Sequence, residues 1–460
     1  MSQVLKQPTP IRKPQPLNAR NFAGRPAVPQ RAVPLPAPTS PVGALQAVGL
    51  YSFCVYIFSA YANDLSLHFF GGKAYLSWVS GVVLVIAFIG CGTTLRGLQS
   101  KIGKAWFGFL LCLVLSCMFS IWRSASLDLL RNYIPRGFGL FFFVCAFALT
   151  LRQCRTLILG NIACTSAILL SAVLFGGSVG DRFAIPSSFL FGGANDLALA
   201  LVSSLGFTVF LIMQKSILAQ ILGAGEFLLT LYLMLKTGSR GGFIALAVFL
   251  MIVFIFSASR WKLVVLMIPA LAVVPMLPGS TLNRLVEIAA PTALNDENAS
   301  GEAAESQMER TMLLRKSVVF AVTHPLFGVG PGEFTDALYE SDEANKTHTH
   351  ALGTHNTYTQ VASECGFPAL AFYLVVLFSS IASNFRIMKR TRNMPGGQQV
   401  FTMALCLLGS LVAFGVNTIF HHDAYSGTLP ILSGMSAALA MASRNGDPAW
   451  IEAETAAGNA

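Results

Sequence analysis

Apolar residues occupy this chain in long unbroken runs separated by short polar segments, with no alternation of polar and apolar positions inside the runs. Such runs read as membrane-spanning helices, because a hydrocarbon core of about 30 Å is crossed by about 20 apolar residues. A β-barrel would need a dyad pattern instead. By that length rule the pattern predicts about twelve spans, near 42–62, 74–91, 105–122, 137–150, 156–176, 193–213, 217–236, 242–258, 262–278, 367–384, 399–418 and 428–443. The fourth is short and either borrows Leu151 or begins near Tyr133. The expected fold class is an all-α polytopic membrane protein with a long, partly helical outer loop.

That loop, 279–366, is where the hydrophobic pattern changes character. Ala290 to Ser306 is rich in Ala, Glu, Asn and Ser and reads as a flexible acidic lead-in. From Met308 to Val322 a helical period returns. Met308, Met312, Leu313, Val319 and Phe320 share an apolar side, and Arg310 and Arg315 lie off it. Gly328-Val329-Gly330-Pro331-Gly332 breaks the period, a short amphipathic turn follows from Glu333 to Tyr339, and a helix is expected from Thr354 or Asn356 to Cys365. The segment is expected to be a small folded cap.

Lysine and arginine orient the spans. Starting inside, the basic segments 1–41, 92–104, 151–155, 214–216, 259–262 and 385–398 all fall on the cytoplasmic side, and both termini with them. The chain then divides into a tail (1–41), nine spans (42–278), the outer loop (279–366), three spans (367–443) and a second tail (444–460). Hydrophobic residues make up 54% and charged residues 11%, which excludes an ordinary soluble domain. Part of the net charge of +10 comes from residues 1–41, which carry six basic residues and no acidic one. The prolines of that tail favour extended, disordered chain. It lacks the interleaved aromatics of a nucleic-acid surface, and attraction to anionic lipid headgroups suffices to explain it. The nine cysteines lie mostly within spans at no metal-ligand spacing, with Cys365 expected at the outer surface.

Candidate chemistry gathers in the outer loops. Six of the seven histidines fall in two of these loops, 279–366 and 419–427: His324, His348, His350, His355, His421 and His422. Their spacing matches no specific zinc pattern. His355, flanked by Asn356 and Tyr358, reads either as a base for a hydroxyl proton or as a structural residue at a helix start. Arg240, in Thr237-Gly238-Ser239-Arg240-Gly241-Gly242, runs against the positive-inside trend. It reads as an anion ligand approached closely through glycines, or as a snorkelling side chain. Arg310 and Arg315, with Arg123, Arg131, Arg136 and Arg182, are further anion candidates. Gly328–Gly332 lacks a strand before it and a Gly-Lys-Ser/Thr ending, so it is a turn or a phosphate-facing loop and no nucleotide motif. Glu226 is costly inside the seventh span and is either functional or hydrogen-bonded.

Three segments, taken in order, resemble the O-antigen ligase and O-antigen polymerase superfamily of bacterial membrane glycosyltransferases. They are Ser239-Arg240-Gly241-Gly242 opening a helix, His324-Pro325-Leu326-Phe327-Gly328-Val329-Gly330 with Arg310 upstream, and His355-Asn356-Thr357-Tyr358 leading to Glu364-Cys365-Gly366-Phe367-Pro368. The resemblance covers residues 42–443. It implies a GT-C-like fold and transfer at the outer face of the inner membrane. The implied donor is an undecaprenyl-diphosphate-linked glycan, the acceptor a glycan, lipid A-core or protein, with no metal and no nucleotide cofactor. In that reading His355 is the catalytic base or acceptor-positioning group, and Arg240 and Arg310 hold the donor diphosphate. Asn356, Tyr358, Arg315, His324 and Glu364 support them. Ala369 stands where the ligase form usually has glycine, threonine or tyrosine, which leaves ligase and polymerase both open. A transporter or flippase of lipid-linked sugars is the reading from another class. It expects ionisable residues near the midplane of several spans, where this chain offers Glu226.

Overall fold

The computed structural model describes residues 41–71, 75–180, 182–257, 301–341, 353–394 and 396–444, with positions 261 and 279. In chain order its helices are α1 (Pro41–Tyr61), α2 (Asn63–Phe70), α3 (Leu76–Gly90), α4 (Lys101–Met118), α5 (Arg123–Tyr133), α6 (Gly139–Phe147), α7 (Leu151–Phe175), α8 (Ala194–Ile212), α9 (Ile217–Lys236), α10 (Arg240–Phe256), α11 (Gly301–Thr323), α12 (Phe334–Ser341), α13 (Thr357–Thr391), α14 (Gln398–Asn417) and α15 (Thr428–Arg444). A two-stranded antiparallel ribbon, β1 (Gly177–Val179) and β2 (Arg182–Ala184), follows α7 with Ser178 opposite Phe183.

Among the described residues, seven helices are long and apolar enough to cross a membrane: α1, α4, α7, α8, α9, α13 and α14. Of the other expected spans, α3 and α10 are shorter apolar helices, and α15 has 17 residues. The fourth, expected at 137–150, is the second half of a helical run that begins at Arg123 and passes through a π turn, Ile134–Phe138, into α6. Pro135 lies in that turn and has no N–H to donate, so the helical ladder changes step there. The span expected at 262–278 lies outside the described residues. So do 1–40, the 290–300 part of the lead-in, His348, His350 and 445–460.

Caps move two starts earlier than hydrophobicity alone places them. The Ser100 hydroxyl accepts from the Gly103 N–H at 2.9 Å and opens α4 at Lys101. Thr150 and Gln153 form a reciprocal capping box that opens α7 at Leu151. Within the bundle α8 and α14 are almost wholly enclosed, and α14 packs on α8, α10, α13 and α15. Polar bonds cross between helices: Trp106 Nε1 donates to Ser433 Oγ at 2.9 Å, and Asn384 Nδ2 to Ser436 Oγ at 2.8 Å. Apolar lipid gives helices no hydrophobic reason to associate, so close packing and such bonds, about 0.6 kcal/mol each on average, hold them together.

The segment between α10 and α13 has a small core of its own, made of Leu313, Phe320, Val329, Phe334, Ala337 and Leu338. The face expected for its first helix is therefore partly wrong. Leu313, Ser317, Phe320 and Ala321 are buried, whereas Met308 and Val319 are exposed. Spacings of four and three from Leu313 define the buried stripe, and Met308 falls off it. The helix also starts at Gly301, inside the expected flexible lead-in, where Ala, Glu and Gln favour helix.

α13 is broken at Gly366, whose φ of 83° and ψ of 170° are not helical. Continuing the helix would bond Phe367 N–H to the Ser363 carbonyl, and Pro368 has no N–H for the carbonyl of Glu364. Residues 325–330 take over all three orphaned groups. Phe367 N–H donates to the Pro325 carbonyl at 2.8 Å, Val329 N–H to the Ser363 carbonyl at 2.8 Å, and Gly330 N–H to the Glu364 carbonyl at 2.9 Å. Ser116 of α4 adds bonds to the carbonyls of Phe327 and Glu364. The glycine turn thus mends a helix break, and Cys365 beside it is fully buried, its sulfur 3.2 Å from the Tyr425 hydroxyl. The expectation of an outer-surface Cys365 is overturned because the turn and α4 cover it. At Gly366 a Cβ would meet the Leu326 carbonyl and the φ is left-handed. Gly366→Ala is therefore expected to lower stability by about 2–4 kcal/mol, measured as the shift in unfolding of the detergent-solubilised protein.

Candidate functional site

His355 precedes α13 and takes a φ of 49°, the left-handed region; among the described residues it is the only non-glycine with positive φ. Such backbone costs about 1–3 kcal/mol and persists only where its surroundings impose it. Here Asn356 supplies the cap: its Oδ1 accepts from the N–H of Tyr358 at 2.9 Å and of Thr359 at 3.0 Å. The capping role open to His355 on sequence thus belongs to Asn356. Thr357 then ties the helix start to the loop between α14 and α15. Its N–H donates to the Thr418 carbonyl at 2.9 Å. Its hydroxyl donates to the His421 carbonyl at 2.8 Å and accepts from the Asp423 N–H at 2.8 Å. Gln360 adds an acceptor for Ala424 N–H at 3.2 Å. Tyr358 points its hydroxyl to the Gly415 carbonyl at 2.6 Å, anchoring α13 on α14.

This clamp brings three imidazoles together. The rings of His355 and His422 lie 5.3 Å apart, those of His421 and His422 5.2 Å apart. His421 Nε2 lies 3.0 Å from Asp196 Oδ1 at the start of α8. Burial, the neighbouring His422 and the Arg310 guanidinium, with a smaller push from His421, press His355 down to about 4; Asp196 opposes them. His422 is likewise pressed down to about 4, by burial first and then by His421. Both rings are therefore neutral at pH 7. Burial pushes the Asp423 carboxyl up to about 7, against the pull of His421 and the Ser426 hydroxyl.

Arg310, half-buried on α11, is close enough to act on His355. Arg240 enters the same end of the bundle as the first residue of α10, capped by Ser239. Asn195 Oδ1 accepts from Ser239 Oγ at 3.0 Å and from Arg182 Nη2 at 2.6 Å, while Arg182 Nε donates to the Thr237 carbonyl at 3.0 Å. Arg182 therefore braces the turn that carries Arg240. A Cβ at Gly241 would stand 2.7 Å from that of Phe420, so glycine lets α10 approach the loop that holds His421 and His422.

The other sequence candidates stand elsewhere. Arg315 is exposed five residues along α11, and Arg123, Arg131 and Arg136 are exposed on α5 and the π turn. His324 is exposed at the far end of α11, its Nδ1 3.0 Å from Thr323 Oγ1. Fourteen residues of helix separate it from Arg310, about 21 Å. Glu364 lies at the helix break, where its Oε2 accepts from Gly332 N–H at 3.0 Å and Tyr425 O–H at 2.6 Å. Glu226 pairs with Ser166 of α7, between α7 and α9. Asp196 was missed on sequence. Its one signal is an acidic residue in the first turn after Gly192-Gly193, where helix dipoles favour negative charge.

Residues 226–374 match the family described as O-Antigen ligase. The chain resembles the O-antigen ligase and polymerase superfamily. No curated protein matches it. The O-antigen-ligase-like stretch contains Arg240, Arg310, His355 and the broken part of α13, whereas Asp196, His421 and His422 lie beyond its limits. Among the described residues no three His, Cys, Asp or Glu side chains are grouped to hold a metal ion.

The clamp at Thr357 carries a direct test. Thr357→Val keeps the shape but leaves the His421 carbonyl and Asp423 N–H without their partner. It is expected to cost about 1–3 kcal/mol, read from the unfolding transition in detergent.

Proposed function

We propose that this protein is a membrane glycosyltransferase of the O-antigen ligase type. It moves a glycan from undecaprenyl diphosphate to an acceptor hydroxyl at the outer face of the inner membrane, on a GT-C-like bundle with both termini cytoplasmic. The observation that carries the reading is His355: a neutral imidazole in a strained, half-buried position, beside Arg310, within the stretch similar to O-antigen ligase. A base must be neutral to take the acceptor proton. A diphosphate leaves as a stable anion, so what it needs is positive charge, which Arg310 and Arg240 supply through fixed, permanently ionised forks. The basicity that burial and Arg310 remove from His355 is restored when the diphosphate binds, because its negative charge favours the imidazolium. The base therefore strengthens when the donor is in place. Asn356 and Tyr358 hold it there. Arg315, His324 and Glu364 serve from a distance, Glu364 by securing the helix break.

The acceptor decides between ligase and polymerase. Purified protein in nanodiscs is given a polyprenyl-diphosphate-linked oligosaccharide with lipid A-core, a second lipid-linked glycan or a glycosylatable protein, and the product is identified by mass. Transfer to lipid A-core marks a ligase and lengthening of the lipid-linked glycan a polymerase. Movement of donor across the bilayer without transfer would sink the transferase reading in favour of a flippase. His355→Ala is expected to lose about 10²–10⁴ in rate, and Arg310→Ala and Arg240→Ala are expected to lose rate as well, while a chelator leaves it unchanged.

The pH profile has a worked sign. His355 loses its base form as pH falls through its folded value of about 4, whereas an ordinary imidazole would lose it near 6.5. The acid limb of kcat/KM, which reports free protein, is expected below pH 5, and that of kcat higher, because bound diphosphate raises the imidazole.

A further inference from the structure

Behind His355 stand side chains that the reaction just described leaves without a role. Asp196, in the first turn of α8, has a side chain 43% exposed and meets buried His421 Nε2 at 3.0 Å. His421 packs on His422, and His422 on His355. The four groups make a single file from a half-exposed carboxylate to the half-buried base. Accepting from Nε2, Asp196 fixes the His421 proton on that nitrogen and leaves Nδ1 as a lone-pair acceptor. The Nδ1 atoms of His421, His422 and His355 are all buried and, among the described residues, meet no hydrogen-bond partner.

We propose that Asp196 is a positioning residue for the transfer, which through His421 fixes His422 against the ring of His355 and lends a negative charge to the imidazolium formed there. The inference rests on the reading of His355 as the base. In the step it serves, the acceptor O–H breaks and its proton goes to His355. The oxygen's electron pair forms the new bond to the anomeric carbon, and the pair of the old C–O bond leaves with the diphosphate. The charged and titratable groups facing His355 are Arg310 from α11, His421 and His422 from the loop after α14, and Asp196 from α8. Arg310, and each imidazole once protonated, opposes the new charge, and Asp196 favours it. The arrangement parallels the general logic by which a carboxylate orients one histidine and stabilises its charged form, here passed through a second and third ring. Asp196→Asn keeps the size and shape of a side chain that is 43% exposed, so the loss of its charge separates rate from folding.

The test uses the full-length protein in nanodiscs, with the lipid-linked oligosaccharide and whichever acceptor it accepts. Asp196→Asn is expected to lower kcat by about 10- to 100-fold, the loss typical when the partner that orients a metal-bound histidine is removed. KM for the donor should stay within about two-fold, and the acid limb should move to lower pH. Asp196→Glu is expected to recover most of the rate. Nitrogen-15 NMR of the imidazoles gives a readout independent of turnover: His421 protonated on Nε2 in the wild type, and a mixture of tautomers in Asp196→Asn. Wild-type turnover in Asp196→Asn, an equal loss in Asp196→Glu, or an unchanged His421 tautomer would each overturn the proposal. If His355→Ala transferred normally, the base reading would fall by itself, and the tautomer measurement would still decide whether Asp196 orders the file.

Discussion

A backbone polar group without a partner is most costly where water is scarce, and α13 creates three of them at one place. Gly366 turns left-handed, Phe367 loses its helical acceptor, and Pro368 cannot donate. The turn from Pro325 to Gly330 answers each orphaned group with one of its own. Much else follows from that exchange. It fixes α11 and α12 onto α13, it explains the run of glycines, and it buries Cys365 and the Glu364 side chain. Because α11 is held at its C-terminal end, the turn that carries Arg310 is set where its charge acts on His355.

The second fixed point is Thr357, whose hydroxyl both gives and takes a hydrogen bond across to the loop after α14. One small side chain thereby joins two segments more than sixty positions apart in the chain and stacks their histidines. The break and the clamp stand at opposite ends of one short stretch of helix, Thr357 to Cys365. Between them they hold His355 in a conformation it would not choose alone.

Much of this was legible in the sequence. The long apolar runs gave the helices, Asn356 announced a helix start, and Gly328–Gly332 announced a break. What the sequence could not display is which backbone groups the break leaves open, because that depends on a helix thirty residues further on. Length alone placed a span over 137–150. The capability of Pro135 to hold a π turn inside a longer run is a matter of packing, and hydrophobicity does not record it. The stripe on α11 was misread at Met308 and Val319, since apolar residues on a helix beside a membrane need not face the core. His421 and His422 were visible as a pair but pointed to no partner, because their neighbour, Asp196, lies far earlier in the chain and carries no motif of its own.

Spans tilt and shift as the bilayer around them thins or thickens. In α13 such movement enters below Phe367, the last residue tied to residues 325–330, while the stretch above the break is held by that turn and by the histidine loop. A joint that keeps helical hydrogen bonds from running straight through works as a mechanical decoupler. The portion sunk in lipid can adjust its angle to the membrane it finds, and the stretch that carries the imidazoles keeps its bearing.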